Sequence, residues 1–221
     1  MQRLSFCLVL LASLAGCVSS NDERWRIFNE DGVQLFAKGN YREALDSFDY
    51  ALTLHSQDPV VLYNAAQCHD RLGEVKKAEE LYVYCLQCDA KHGDARLALV
   101  ALKYRTSRVA DANQVIQDWL THEPNSADSY VADAWRLRQE KAYPQAQARL
   151  QQALSIEPRN RRALTEMAIL YEIQGIPERS FVLYENILQR EPNQIEIAER
   201  LQQLKAKGVQ RPPPQLAPLG L

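Results

Sequence analysis

Gly39-Asn40-Tyr41-Arg42-Glu43-Ala44-Leu45-Asp46-Ser47-Phe48-Asp49-Tyr50-Ala51 decides the fold, because its landmarks return every 34 residues. Ala44 is followed at that interval by Ala78, Ala112, Ala146 and Ser180. Four residues on stand Phe48, Tyr82, Ile116, Leu150 and Tyr184, and three further on Ala51, Cys85, Trp119, Ala153 and Ile187. Twelve residues before each small residue lie Gly32, Ala66, Val100, Ala134 and Ala168. A fixed period of this size is the signature of a stacked repeat. Two antiparallel helices of about 13 residues with short turns fill it, and small residues belong where their axes cross closely. Gly39, Gly73 and Gly175 stand at the turn between the two helices, where a left-handed backbone costs glycine least. Asp58-Pro59 reads as an N-cap followed by proline in a first turn, and Pro144 and Pro177 also fall in first turns.

Composition agrees with an all-α chain. The 221 residues are 46% hydrophobic, contain eight glycines and show no run of alternating β-branched residues. A formal charge of -2 with interspersed acids and bases provides no field for a polyanion, which argues against a nucleic-acid partner.

With Pro124, Pro158 and Pro192 closing its later periods, the pattern resembles the tetratricopeptide-repeat (TPR) family. The resemblance implies an all-α, helical-hairpin solenoid of five repeats, at 25–58, 59–92, 93–126, 127–160 and 161–194. The apolar stripe Ile195, Ala198, Leu201 and Leu204 predicts a capping helix over 195–207, and the proline-rich remainder, 208–221, is expected to be a disordered tail. Repeat three departs most from the pattern, through Arg96, Lys103, Ser107 and Trp119. In TPR proteins the first helix of each repeat lines a concave groove. Carried over, the partner-facing residues are Tyr63, Gln67, Asp70 and Arg71, then Leu97, Ala101, Tyr104 and Arg105, then Val131, Trp135, Arg138 and Gln139, and finally Thr165, Ile169, Glu172 and Ile173. Tyrosine, tryptophan and arginine dominate protein interfaces, so the implied partner is a protein or peptide rather than a small-molecule substrate. Trp135 is expected to be the main anchor, with Arg138 lying over its indole and Tyr104 and Ile169 flanking it. The lysine and asparagine clamp with which some TPRs hold a C-terminal carboxylate is not matched: the first repeat offers Asn29 and Val33, and only Asn64 agrees in the second.

The N-terminus reads as an address. Arg3, the apolar stretch Leu4 to Leu11 and Leu14-Ala15-Gly16-Cys17 form a signal peptide over residues 1–16, too short to span a bilayer. Leu-Ala-Gly-Cys resembles the bacterial lipobox, which implies lipidation of Cys17 as the mature N-terminus and a fatty-acylated linker over 17–24. By the same resemblance the chain is held on the periplasmic side of the cell envelope, with Val18 favouring the outer membrane.

Cys85-Leu86-Gln87-Cys88 raises a thiol-redox reading. It falls near the end of a second helix, where the dipole opposes a thiolate, and Cys85 and Cys68 occupy core phases, so buried structural thiols are the favoured account. Zinc would need four converging ligands, and His55, His69, His92 and His122 are scattered. With no phosphate loop, HExxH or GxSxG, no cofactor, metal or catalytic activity is expected. The leading expectation is a membrane-anchored adaptor of the kind found in envelope, pilus or secretion assemblies. A redox accessory protein acting through Cys85 and Cys88, and a spacer that binds nothing, are the alternatives.

Overall fold

The computed structural model describes residues 20–212. Among them are eleven α-helices and no strand: α1 (Ser20–Ala37), α2 (Tyr41–Leu54), α3 (Pro59–Arg71), α4 (Val75–Cys88), α5 (Gly93–Arg105), α6 (Val109–His122), α7 (Ala127–Gln139), α8 (Tyr143–Ile156), α9 (Arg161–Ile173), α10 (Pro177–Arg190) and α11 (Ile195–Ala206). These are helical-hairpin repeats with a final single helix. The start of α1 at Ser20 corrects one expectation, since residues 20–24, read as linker, are helical. Cys17 and most of the tail lie outside the described residues.

The helices gather into two compact units that divide within α5, after Leu102. In the first, α1 packs on α2, α2 on α3, and α3 on α4. Ala44, Phe48, Ala51, Val61, Ala65 and Cys68 form one buried cluster, against which Trp25, Phe28, Leu35 and Phe36 of α1 pack. A second cluster joins Leu62 and Ala66 of α3, Ala78, Tyr82 and Cys85 of α4, and Ala95, Leu99 and Leu102 of α5. The small residues work as the period predicts. A Cβ on Gly32 would stand 2.5 Å from the buried Phe48 ring, so α1 and α2 approach closely only because no side chain intervenes.

In the second unit α7 packs on α8 and α9, α8 on α9, α9 on α10, and α10 on α11. Its core runs from Val131 and Ala134 through Leu150, Leu164, Met167, Leu170, Phe181, Leu183 and Tyr184 to Leu201 and Leu204. Trp119, at a place the pattern keeps small, is accommodated in α6 at 3% exposure.

Every turn between paired helices has the same backbone. Residues 39, 73, 107, 141 and 175 all have positive φ, at 83°, 78°, 61°, 59° and 74°, although two of them are Ser107 and Lys141 rather than glycine. The amide of each following residue reaches back five positions: Asn40 to Leu35, Glu74 to His69, Arg108 to Lys103, Ala142 to Leu137 and Ile176 to Tyr171, at 2.8–3.0 Å. With the shorter bonds from Gly39 to Phe36 and Gly73 to Asp70, these are Schellman closures that satisfy helix-end carbonyls. Starts are capped less uniformly. Asp58 accepts from Val60 and Val61 N–H at 3.0 Å, Asn160 accepts from Ala163 N–H at 2.9 Å, and Ser126 makes no side-chain cap.

Candidate functional site

The residues expected to face a partner lie on the first helices of each unit, most of them half-buried. In the first unit Tyr63 of α3 is half-buried, its ring centroid 5.1 Å from that of His92 and 6.0 Å from that of Tyr82. Gln67, one turn on, donates from Nε2 to the Tyr63 hydroxyl at 2.7 Å. Asp70 and Leu97 are half-buried, whereas Arg71 is exposed and lies 5.9 Å over the Phe36 ring. Asn64 is engaged inside the protein, donating to Asn29 Oδ1 at 2.9 Å.

In the second unit Trp135 of α7 is half-buried and meets Tyr104 edge-on, with centroids 4.9 Å apart at 84°. Tyr104 is fixed in turn by donating its hydroxyl to Asn113 Oδ1 at 2.7 Å, and partial burial raises its pKa. Arg105 and Gln139 are exposed, Ile169 is half-buried and Ile173 is 45% exposed. Two expectations are corrected. Val131 is a core residue at 3% exposure rather than part of a binding face. Arg138 does not take the cation-π place over the indole: its Nε donates to Glu166 Oε2 at 3.0 Å, and both side chains are less than a fifth exposed. Burial raises the Glu166 pKa, and Arg138 opposes that rise.

The reading of the sequence missed a second charged group beside this face. Asp133, 1% exposed, occupies the buried stripe of α7. Its Oδ1 accepts from Arg136 Nε and Nη2 at 2.9 and 2.7 Å, and Arg149 Nε stands 2.7 Å from Oδ2. Arg136 also grips Glu140 with Nη1 at 2.9 and 3.0 Å. An acid on a stripe of small and apolar residues, with arginine three residues on, was the available signal. Further along the same unit, Arg200 lies 3.8 Å from Glu172 and 3.4 Å from Glu196, while Glu172 accepts from Tyr184 at 2.6 Å.

The cysteines favour structure over reactivity. Cys68 and Cys85 are buried, and burial raises both thiols to about 12. Cys85 donates to the Pro59 carbonyl at 3.1 Å. A thiol so placed is a poor nucleophile at neutral pH. Cys88 is only half-buried, so burial accounts for it in part. Among the described residues no three or more His, Cys, Asp or Glu side chains gather to hold a metal ion, and no helix is long and apolar enough to cross a membrane.

Residues 35–83 match the tetratricopeptide repeat model. The chain is 33% identical over 69 residues to the mitochondrial import receptor subunit TOM34 of Rattus norvegicus, and 29% identical over 101 residues to sperm-associated antigen 1 of the same species. These matches take in 31% and 44% of this chain, but only 22% and 11% of those longer proteins. A thermophilic TPR protein of Thermus thermophilus superposes with a TM-score of 0.64 at 24% identity, over 82% of this chain and 99% of that one. The pilF protein of Pseudomonas aeruginosa superposes with a TM-score of 0.54 at 19% identity, over 85% and 93%.

Proposed function

From a chain with the TPR fold and a tetratricopeptide repeat over residues 35–83, we infer a scaffold that holds a partner protein or peptide on the exposed faces of its first helices and is anchored to the cell envelope through a lipid on Cys17. The observation that carries the binding part is the placing of large aromatic and aliphatic residues outside the packed core. Tyr63 and Trp135 are half-buried, Ile173 is 45% exposed, and the last two lie on first helices of the second unit. Rigid aromatic side chains at the edge of a core are the residue types that anchor interfaces. Support for the anchor is the Leu-Ala-Gly-Cys run after an apolar stretch, on which the periplasmic side of an outer membrane is the favoured location. Assembly of an envelope, pilus or secretion complex is the setting such a protein suits.

Photocrosslinking side chains placed at Gln67 and at Gln139 of the full chain in cells test the binding face. Each should capture a partner, and Lys76, on the exposed side of a second helix, should not. Equal capture at all three positions, or none, defeats the reading. The anchor is tested separately. The Cys17→Ala protein should be released from membranes or left uncleaved, and recovery of a processed, membrane-bound form would remove the lipid from the account.

A further inference from the structure

On α7, the helix of Trp135, and on α9 and α11 of the same unit, charged side chains stand in pairs. To bind a carboxylate, Arg138 would have to leave Glu166, stranding an acid that is only 18% exposed. Arg136 is held by Asp133 and Glu140, and Arg200 by Glu172 and Glu196. The acids are equally engaged: Glu140 by Arg136, Glu166 by Arg138, and Glu172 by Tyr184 and Arg200. A charged ligand that called on any of these six side chains would have to break a pair.

Trp135 differs from Trp119 in what its indole does. The Trp119 Nε1–H reaches Glu123 Oε2 at 3.3 Å inside a 3%-exposed site. Trp135 Nε1 has no hydrogen-bond partner among the described residues, and it is not wholly buried. The Tyr104 edge, itself tied to Asn113, holds the ring in place. Gln139, exposed one turn on, adds an amide on the same side, and Ile169 and Ile173 extend an apolar strip along α9.

Building on the partner-holding role above, we propose that this unit binds an uncharged, extended segment, docked by an apolar side chain on the Trp135 indole with a main-chain carbonyl accepting from its Nε1–H. The carbonyl must be free in the ligand. Carbonyls inside a helix are already bonded, whereas those of an extended segment are available, and Gln139 can serve a neighbouring peptide group. A chain terminus is not required, because the arginines of α7, Arg136 and Arg138, are both already paired.

The probe is an array of random nonapeptides, acetylated and amidated, incubated with the full chain. Selected peptides should carry a leucine, isoleucine or aromatic residue with net charge near zero, and binding should change less than about twofold between 0.05 and 0.5 M NaCl. Trp135→Phe keeps a six-membered aromatic ring but loses the N–H together with part of the indole surface, so affinity should fall at least about three- to tenfold, with the melting temperature followed to show that the variant is folded. Selection of acidic or basic peptides, a steep salt dependence, or wild-type affinity in Trp135→Phe overturns the proposal. A crosslink from Gln139 to a charged segment removes this inference and leaves the partner-holding role standing. No peptide on the array together with no crosslink at Gln67 or Gln139 removes both.

Discussion

The α3–α4 hairpin and the α7–α8 hairpin share helix lengths and register, yet they are held by different means. In α3–α4 the local signals agree. Asp58 caps the first helix, Pro59 opens it, Gly73 makes the turn, and Ala65 and Ala66 let the helices meet. In α7–α8 Ala134 matches Ala66, but the other places are filled by weaker choices. Ser126 does not cap, Lys141 takes the positive φ, and Asp133 stands where α3 has Ala65. What α7–α8 has instead is tertiary: a buried carboxylate between Arg136 and Arg149, reinforced by Glu140. One fold can thus be specified by short-range chemistry or by an ion cluster built across two helices. The second route is more fragile, because loss of one member leaves a buried charge unpaired.

The contrast breaks most sharply if an acid is placed in the hairpin that lacks the arginines. Ala65→Asp puts a carboxylate at a fully buried position, and chemical denaturation should show a loss of about 3 kcal/mol or more, or no folded protein. Tolerance of that substitution would mean that the fold accepts charge there without a partner. Next in size is Arg136→Leu, which leaves Asp133 with Arg149 alone. A cost of about 3 kcal/mol is expected, with Asp133→Leu costing less, because Arg136 keeps Glu140 and Arg149 is part-exposed. Equal costs would show that the cluster contributes packing rather than charge pairing. The turns should respond by about 1 kcal/mol in opposite directions: Lys141→Gly stabilises and Gly73→Lys destabilises, as read from thermal midpoints. The smallest effect concerns pH. Burial raises the Glu166 pKa, so its carboxyl favours the folded state most when protonated, and that contribution is lost as pH rises through the raised pKa. Glu166→Gln should therefore gain relative to the native chain as pH climbs out of the acidic range. A constant difference across the titration would show that Arg138 cancels the burial effect completely.

The parts of this structure that a reader of sequence could find are those encoded within one period. Gly32, Ala44 and Phe48 announce a close helix crossing, and Gly39, Gly73 and Gly175 announce their turns. Ser107 and Lys141 hide the same turn, because the Schellman bonds to Lys103 and Leu137 carbonyls impose the backbone whatever the side chain. Helical phase alone put Val131 on the binding face, whereas neighbouring helices cover it. Arg138 was assigned to Trp135 three residues away, but its partner Glu166 lies 28 residues on in another helix, a distance at which spacing gives no warning. Arg149 and Asp133 meet across a hairpin for the same reason.

The five Schellman amides have a further consequence in hydrogen exchange. A turn amide ordinarily trades its proton with water freely, but Asn40, Glu74, Arg108, Ala142 and Ile176 each spend theirs on a carbonyl of the helix just ended. Exchange at each then waits for that hairpin to open locally. The chain carries in effect five clocks spaced one repeat apart, each timing the fraying of its own hairpin. Where stability sums repeat by repeat, their relative rates trace the order in which the array unzips.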